Sequence, residues 1–214
     1  MAKFLESIPV VTRNLLYVNV IMFIATLINP TFMQNTFAMA FPMATDFRWW
    51  QPITHMFMHD GFFHIFFNMY TLVMFGMVVE RVLGTKRFIV FYFVTGLGAV
   101  LLHTGVDFIQ LRELIHAYPQ VHPIYNSVPR ILGASGAVYG VLVAFAMIYP
   151  EARMTLIFPP VTLDAKWMVI IFVVIELFTG IAGTKLGIAH FAHLGGALFG
   201  WLLMLYWKKH GSKL

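Results

Sequence analysis

Apolar residues run along this chain in six long blocks, at positions 15–28, 62–82, 88–103, 134–148, 167–181 and 188–207. Polar or proline-bearing stretches separate them. Crossing the hydrocarbon core of a bilayer takes roughly 20 predominantly apolar residues as a helix. The pattern therefore predicts an all-α, polytopic membrane protein: one six-transmembrane-helix bundle occupying residues 1–214 as a single domain. The first and fourth blocks are short, and neighbouring residues or local thinning of the bilayer would complete them. Lys3 and Arg13 precede the first block, and Ala38-Met39-Ala40 resembles a signal-peptidase site. That site lies too far beyond the apolar run for a secretory signal, so the block is read as a retained helix.

The connections differ in character. The first outer loop, 29–61, is long, and its Phe47, Trp49 and Trp50 suit the headgroup layer. The third outer loop, 104–132, carries Pro119, Pro123 and Pro129, with 108–118 expected as a short interfacial helix. Residues 182–187 form a short glycine-bearing turn, a candidate lid beside a fifth helix that is a candidate gate. On the inner side, Phe158-Pro159-Pro160 excludes helix interior, which makes 150–166 a bent connection.

Composition agrees with the pattern. The chain is 60% hydrophobic and 11% charged, whereas a soluble domain is about half apolar and about a quarter charged. The net charge of +5 sits in short flanking clusters, which explains orientation and lipid contact and points away from nucleic acid. Ten of the 14 lysines and arginines fall on the side shared by both termini. The positive-inside rule puts that side in the cytoplasm, as for a bacterial inner membrane protein. With no cysteine, disulfides, thiolate metal sites and a cysteine nucleophile are excluded.

Polar groups inside spans are costly and mark function. Here they gather at one depth. Ser135 opens the fourth block between Gly133 and Gly136, His193 and His190 lie in the first turns of the sixth, and His64 and Asn68 lie at the outer start of the second. A helix N-terminus favours developing negative charge, so the Ser135 N–H is a natural oxyanion donor. His193 is the best base for Ser135, because Gly136/Gly140 and Gly196/Gly200 are four apart, the small-residue spacing that packs transmembrane helices closely. His64 and Asn68 share a helix face and can donate from the opposite side. Tyr139, one turn below Ser135, can pack on the imidazole. No acid is placed at this depth, so the expected machinery is a Ser–His dyad. Glu176, the only acid deep in a span, is read as a neutral structural group. His55 and His59 are read as a polar network that holds the first loop or retains water, since HExxH is absent. His103 and His190 are read chiefly as structural. No cofactor and no metal are expected.

Gly133-Ala134-Ser135-Gly136, His64-xxx-Asn68 and Ala192-His193-Leu194-Gly195 on six spans resemble the rhomboid intramembrane serine proteases. The similarity runs over about 50–207, with Thr54-His55, His59 and Glu80-Arg81 included. It implies Ser135 as nucleophile, His193 as general base with Tyr139 stacked on it, and His64, Asn68 and the Ser135 N–H as the oxyanion hole. It also implies transmembrane protein substrates, cut near the outer end of a helix within the lipid bilayer. His190 stands where the family often has asparagine, a supplementary polar group near the site. Trp50-Gln51 replaces the usual Trp-Arg pair, which removes whatever the arginine would hold in the first loop. Two other classes compete. A non-proteolytic binder of the same fold would usually lack the serine or the histidine. A small transporter would show inverted repeats and midplane polar residues.

Overall fold

The computed structural model describes residues 2–117, 122–156, 160–182 and 190–211. In chain order the described elements are α1 (Ala2–Ser7), α2 (Val10–Ile28), α3 (Pro30–Phe37), α4 (Gln51–Thr54), α5 (Phe62–Leu83), α6 (Thr85–Ala117) and α7 (Ser135–Ile148). A small hairpin, β1 (Arg153–Thr155) with β2 (Thr162–Asp164), follows, then α8 (Ala165–Ile181) and α9 (His190–Lys209). Six of these correspond to the six apolar blocks.

Glu80 fixes where the first long helix begins. Its buried carboxylate accepts from the N–H groups of Val11 (3.0 Å) and Thr12 (2.8 Å) and from the Thr12 hydroxyl (2.8 Å). Those are orphan donors of a helix N-terminus, where negative charge is also favoured. Hence α2 starts five positions before the block read from hydropathy, and the helix reaches 19 residues. Next to it the Arg81 guanidinium donates to the Ser7 carbonyl at 2.8 Å. The pair Glu80-Arg81, part of the resemblance, thus clamps two helix ends together.

The third block was expected to stop at position 103, with a separate helix at 108–118. Instead α6 continues unbroken for 33 residues, to Ala117. No proline or glycine pair interrupts 106–117, so nothing breaks the backbone ladder where hydropathy falls. Tyr118 and most of the expected lid (183–187) lie outside the described residues, as do Phe158 and Pro159 of the inner connection.

In α5 a π-helical turn, Leu72–Gly76, re-registers the helix just below Asn68. The core lies between α5, α6, α7 and α9, around Tyr92, Phe88, Phe91 and Leu72. The outward faces are apolar: Ile28 is 80% exposed and Phe63 72%. Exposed apolar surface on this scale is a lipid-facing surface. The chain is an integral membrane protein.

Close backbone approach joins α7 to α9. A Cβ on Gly196 would lie 1.8 Å from the Gly136 carbonyl oxygen, and one on Gly200 2.9 Å from Gly140 Cα. Lipid offers no hydrophobic drive for helix association, so packing of this kind holds the bundle.

Candidate active site

The N-terminal turns of α5, α7 and α9 meet here, and the loop between α3 and α4 sets their register. Met39 and Ile131 exchange backbone hydrogen bonds of 2.9 and 3.0 Å. Arg130 pairs with Asp46 and reaches the Ala38 carbonyl. Tyr125 stacks on Phe41 at 5.4 Å. Fully buried Gln51 organises the loop itself: its Oε1 accepts from the N–H groups of Ala40 (3.2 Å) and Arg48 (3.1 Å), and its Nε2 donates to the carbonyls of Asn35 and Asp46. The glutamine at this position therefore takes over loop positioning. The strap that ends the long third loop thereby acquires a role as well: it delivers Gly133 to a fixed place.

Gly133 has φ +124°, a conformation that favours glycine. Its N–H donates to the His55 carbonyl at 2.9 Å. A Cβ there would lie 2.7 Å from His64 Nε2 and 3.6 Å from Ser135 Oγ. The missing side chain thus keeps open the space between His64 and Ser135. Two residues later α7 begins, with Ser135 in its first turn, where N–H groups have no helical partner.

Ser135 Oγ lies 2.8 Å from His193 Nε2. The Tyr139 ring stacks on the His193 imidazole at 4.4 Å and 8°, a contact worth about 0.5–1.5 kcal/mol beyond area burial. One expectation fails at this point. Glu176 does stand at this depth: its Oε1 is 2.8 Å from His193 Nδ1 and 2.6 Å from the Tyr139 hydroxyl, and its Oε2 is 2.6 Å from His190 Nδ1. Donors on both oxygens fit an ionised carboxylate, which can only accept. The arrangement is a Ser–His–Glu chain, not an isolated dyad, and Glu176 is no neutral bystander. A carboxylate at Nδ1 assigns the ring proton there and leaves the Nε2 lone pair for the serine hydroxyl.

His190 sits beside this chain, bonded to Glu176 and within 3.1 Å of the Thr179 hydroxyl. Tyr139, His190 and His193, all bonded to Glu176, tie the C-terminal half of α8, the expected gate, to α7 and α9.

On the facing side, His64 Nδ1 is 2.6 Å from Asp60 Oδ1. Asn68 spends one amide hydrogen on the His64 carbonyl at 2.9 Å, and its second remains for another acceptor. His59 is buried, its ring T-packed on His64 at 4.9 Å, and neither of its nitrogens has a partner among the described residues. His55 Nδ1 meets the Gln51 carbonyl at 3.2 Å. Burial pushes the His55 imidazolium down from 6.5 to about 4. It pushes His59 down to about 3, with the neighbouring charge of His64 adding to the effect.

Both histidines therefore stay neutral when folded and take up protons first in the unfolded chain. Their contribution to stability is full above about 6.5 and is lost as pH falls towards about 4 for His55 and about 3 for His59. The expected result is a thermal unfolding midpoint in detergent that drops between pH 7 and pH 4. His59→Phe should flatten that slope, and an unchanged slope would assign the acid sensitivity elsewhere.

Fold and site together describe a polytopic helical membrane protein with a serine, an imidazole and a carboxylate in line at one end of its helices. A family model, the Rhomboid domain, matches residues 46–210, and the chain belongs to the rhomboid family. It is 33% identical over 158 residues to the presenilin-associated rhomboid-like protein, mitochondrial, of Bos taurus, covering 71% of this chain and 38% of that protein. It is 26% identical over 174 residues to rhomboid protease AarA of Providencia stuartii, covering 73% and 55%. Rhomboid protein 1, mitochondrial, of Saccharomyces cerevisiae is 30% identical over 157 residues, covering 73% and 41%. The chain spans roughly two fifths to a little over half the length of these curated relatives.

Proposed function

We propose that this protein is an intramembrane serine endopeptidase that cuts transmembrane proteins near the outer face of the bilayer. The observation that carries the reading is the line from Ser135 Oγ through the His193 imidazole to Glu176, with 2.8 Å at each joint. Ser135 Oγ attacks the scissile carbonyl carbon while His193 Nε2 takes the hydroxyl proton. Negative charge gathers on the carbonyl oxygen, beside the Ser135 N–H, His64 Nε2 and the spare hydrogen of Asn68. Each such donor is worth roughly 3–4 kcal/mol in a preorganised site. Collapse of the tetrahedral intermediate breaks the C–N bond, and His193 returns its proton to the leaving amine. Water then enters from the outer side, gives a proton to His193 and releases the acyl group from Ser135.

A helical substrate hides its carbonyls in backbone hydrogen bonds, so it must unwind locally. Small or helix-weakening residues near the outer interface favour that step. In this reading six helices span a bacterial inner membrane, both termini are cytoplasmic, and the site opens outward. The basic residues Arg13, Arg81, Lys86, Arg87 and Lys208, at the helix ends remote from Ser135, and Arg153 in the hairpin that follows α7, support that orientation.

The test is to incubate the purified protein with a single-span reporter and a fluorophosphonate probe, then map the labelled peptide. The expected result is label on Ser135, with cleavage in the outer third of the reporter helix that the probe blocks. Label on a different residue, or cleavage that a chelator abolishes and the probe does not, would overturn the proposal.

A further inference from the structure

Between the end of α3 and the start of α4 lies a cavity of about 350 Å³, lined by Asn35, Thr36, Asp46, Arg48, Trp50 and Arg130. Its depth follows from the helix that leads to it. α2 has 19 residues, about 28 Å at 1.5 Å per residue, close to the roughly 30 Å of a bilayer's hydrocarbon core. That helix ends at the lipid-facing Ile28, and α3 starts two residues later. The rim of the cavity marks the same boundary. Trp49, 79% exposed, packs edge-on against the lining Trp50 at 5.7 Å, and tryptophan settles where hydrocarbon meets headgroups. Phe32, also exposed, lies one turn before Asn35 and Thr36 on α3. A polar cavity with an apolar rim at this depth suits an amphiphile.

The charges in the cavity are unevenly spent. Arg130 is paired with Asp46. Arg48 has no carboxylate partner among the described residues. Its Nη1 donates to the carbonyls of Thr45 (3.2 Å) and Phe47 (2.8 Å), and its Nε and Nη2 meet no protein acceptor among the described residues. Those two nitrogens form one edge of the guanidinium, the fork that matches two oxygens of a phosphate. Two arginines against one aspartate leave a single positive charge in the lining. A phosphodiester carries a single negative charge and two free oxygens.

We propose that this cavity binds the phosphodiester of a membrane phospholipid, in the leaflet on the Ser135 side, and so fastens the first loop to the strap before α7. Arg48 grips the phosphate through its Nε–Nη2 edge, Asn35 and Thr36 offer neutral donors, and the acyl chains run down the apolar rim at Phe32. Lipid binding here goes beyond the protease reading and does not depend on it. The strap enters through Arg130, which stands three residues before Gly133 and is held by Asp46, next to the Met39–Ile131 bonds. A headgroup seated between Arg48 and Arg130 adds a further tie across the same junction. Amide exchange at Met39 and Ile131 should therefore slow, roughly tenfold at a lipid concentration ten times the dissociation constant.

The experiment is native mass spectrometry of the purified protein in detergent, titrated with dioleoyl phosphatidylglycerol, with amide exchange read on the same samples. One lipid should bind each chain ahead of any others. Arg48→Gln should weaken that binding roughly 10- to 100-fold, the loss expected when charge-assisted hydrogen bonds are removed. Arg48→Lys keeps the charge and can still reach the loop carbonyls, but it lacks the fork and should recover only part of the affinity. Arg112→Gln removes the same charge from an exposed position on α6 and should bind as the wild type does. Dioleoylglycerol, which has the chains without the phosphate, should not compete, and inorganic phosphate should compete far more weakly than the lipid. An equal loss in Arg112→Gln would reduce the effect to general charge attraction and overturn the site. Competition by dioleoylglycerol would make the cavity an apolar groove, and competition by inorganic phosphate on a par with the lipid would make it a soluble-anion site; either result overturns the assignment. Lipid binding that leaves exchange at Met39 and Ile131 unchanged would overturn the tie to the strap. None of these readouts involves cleavage, so a failure here leaves the protease reading standing, and absence of label on Ser135 leaves the lipid site standing.

Discussion

Glu176→Ala is expected to reduce cleavage of a single-span reporter by roughly 10⁴-fold in kcat, against roughly 10⁶ for Ser135→Ala or His193→Ala. The reason is tautomeric as much as electrostatic. Without the carboxylate at Nδ1, the imidazole can place its proton on Nε2 and face the serine with a donor. The wrong tautomer costs about 10⁴ where serine, histidine and acid act as a unit. Because they act as a unit, the losses should not multiply: His193→Ala combined with Glu176→Ala should cleave no more slowly than His193→Ala alone. Glu176 also receives the Tyr139 hydroxyl and His190 Nδ1, and each stranded donor costs about 1–3 kcal/mol. Thermal unfolding must therefore be measured alongside. Glu176→Asp, which keeps an acceptor charge, should recover part of the rate. Wild-type turnover in Glu176→Ala would sink the role assigned to this carboxylate.

That carboxylate shows where reading the sequence stops. The six helices were legible because hydropathy reports the bilayer directly, and the meeting of Ser135 with His193 followed from helix starts and glycine spacing. Glu176 was misjudged on depth. It lies five residues from the C-terminal end of α8, about 7–8 Å at 1.5 Å per residue. His193 lies three residues into α9, about 4–5 Å deep, and a glutamate side chain covers the difference. The loop bonds of Gln51 and the Met39–Ile131 pairing were not legible. They depend on how an irregular chain folds back on itself, and no periodicity records that. The overrun of α6 had a simpler cause: hydropathy marks where lipid ends, while helix continues until a residue breaks it.

Gly196→Ala is the second large effect expected, and it separates fold from chemistry least cleanly, which is why its control matters. The added Cβ would lie 1.8 Å from the Gly136 carbonyl oxygen, with Gly136 C at 2.6 Å. Both are backbone atoms in the first turn of α7, so no rotamer change relieves the clash. The helices must separate instead. Overpacking on this scale costs at least about 1–3 kcal/mol, and α7 and α9 carry Ser135 and His193, which now stand at 2.8 Å. A displacement near 1 Å at reacting groups costs about 10²-fold in rate. The expected outcome is a lowered unfolding temperature in detergent together with fluorophosphonate labelling of Ser135 slowed at least 10²-fold. Gly105→Ala supplies the comparison, because a Cβ on Gly105 in α6 meets nothing within 4 Å and alanine is the better helix former by about 1 kcal/mol. It should label at the wild-type rate. Equal labelling of the two variants would mean that the α7–α9 contact does not set the serine–histidine distance, and that the loop strap from Arg130 to Gly133 alone holds Ser135 in place.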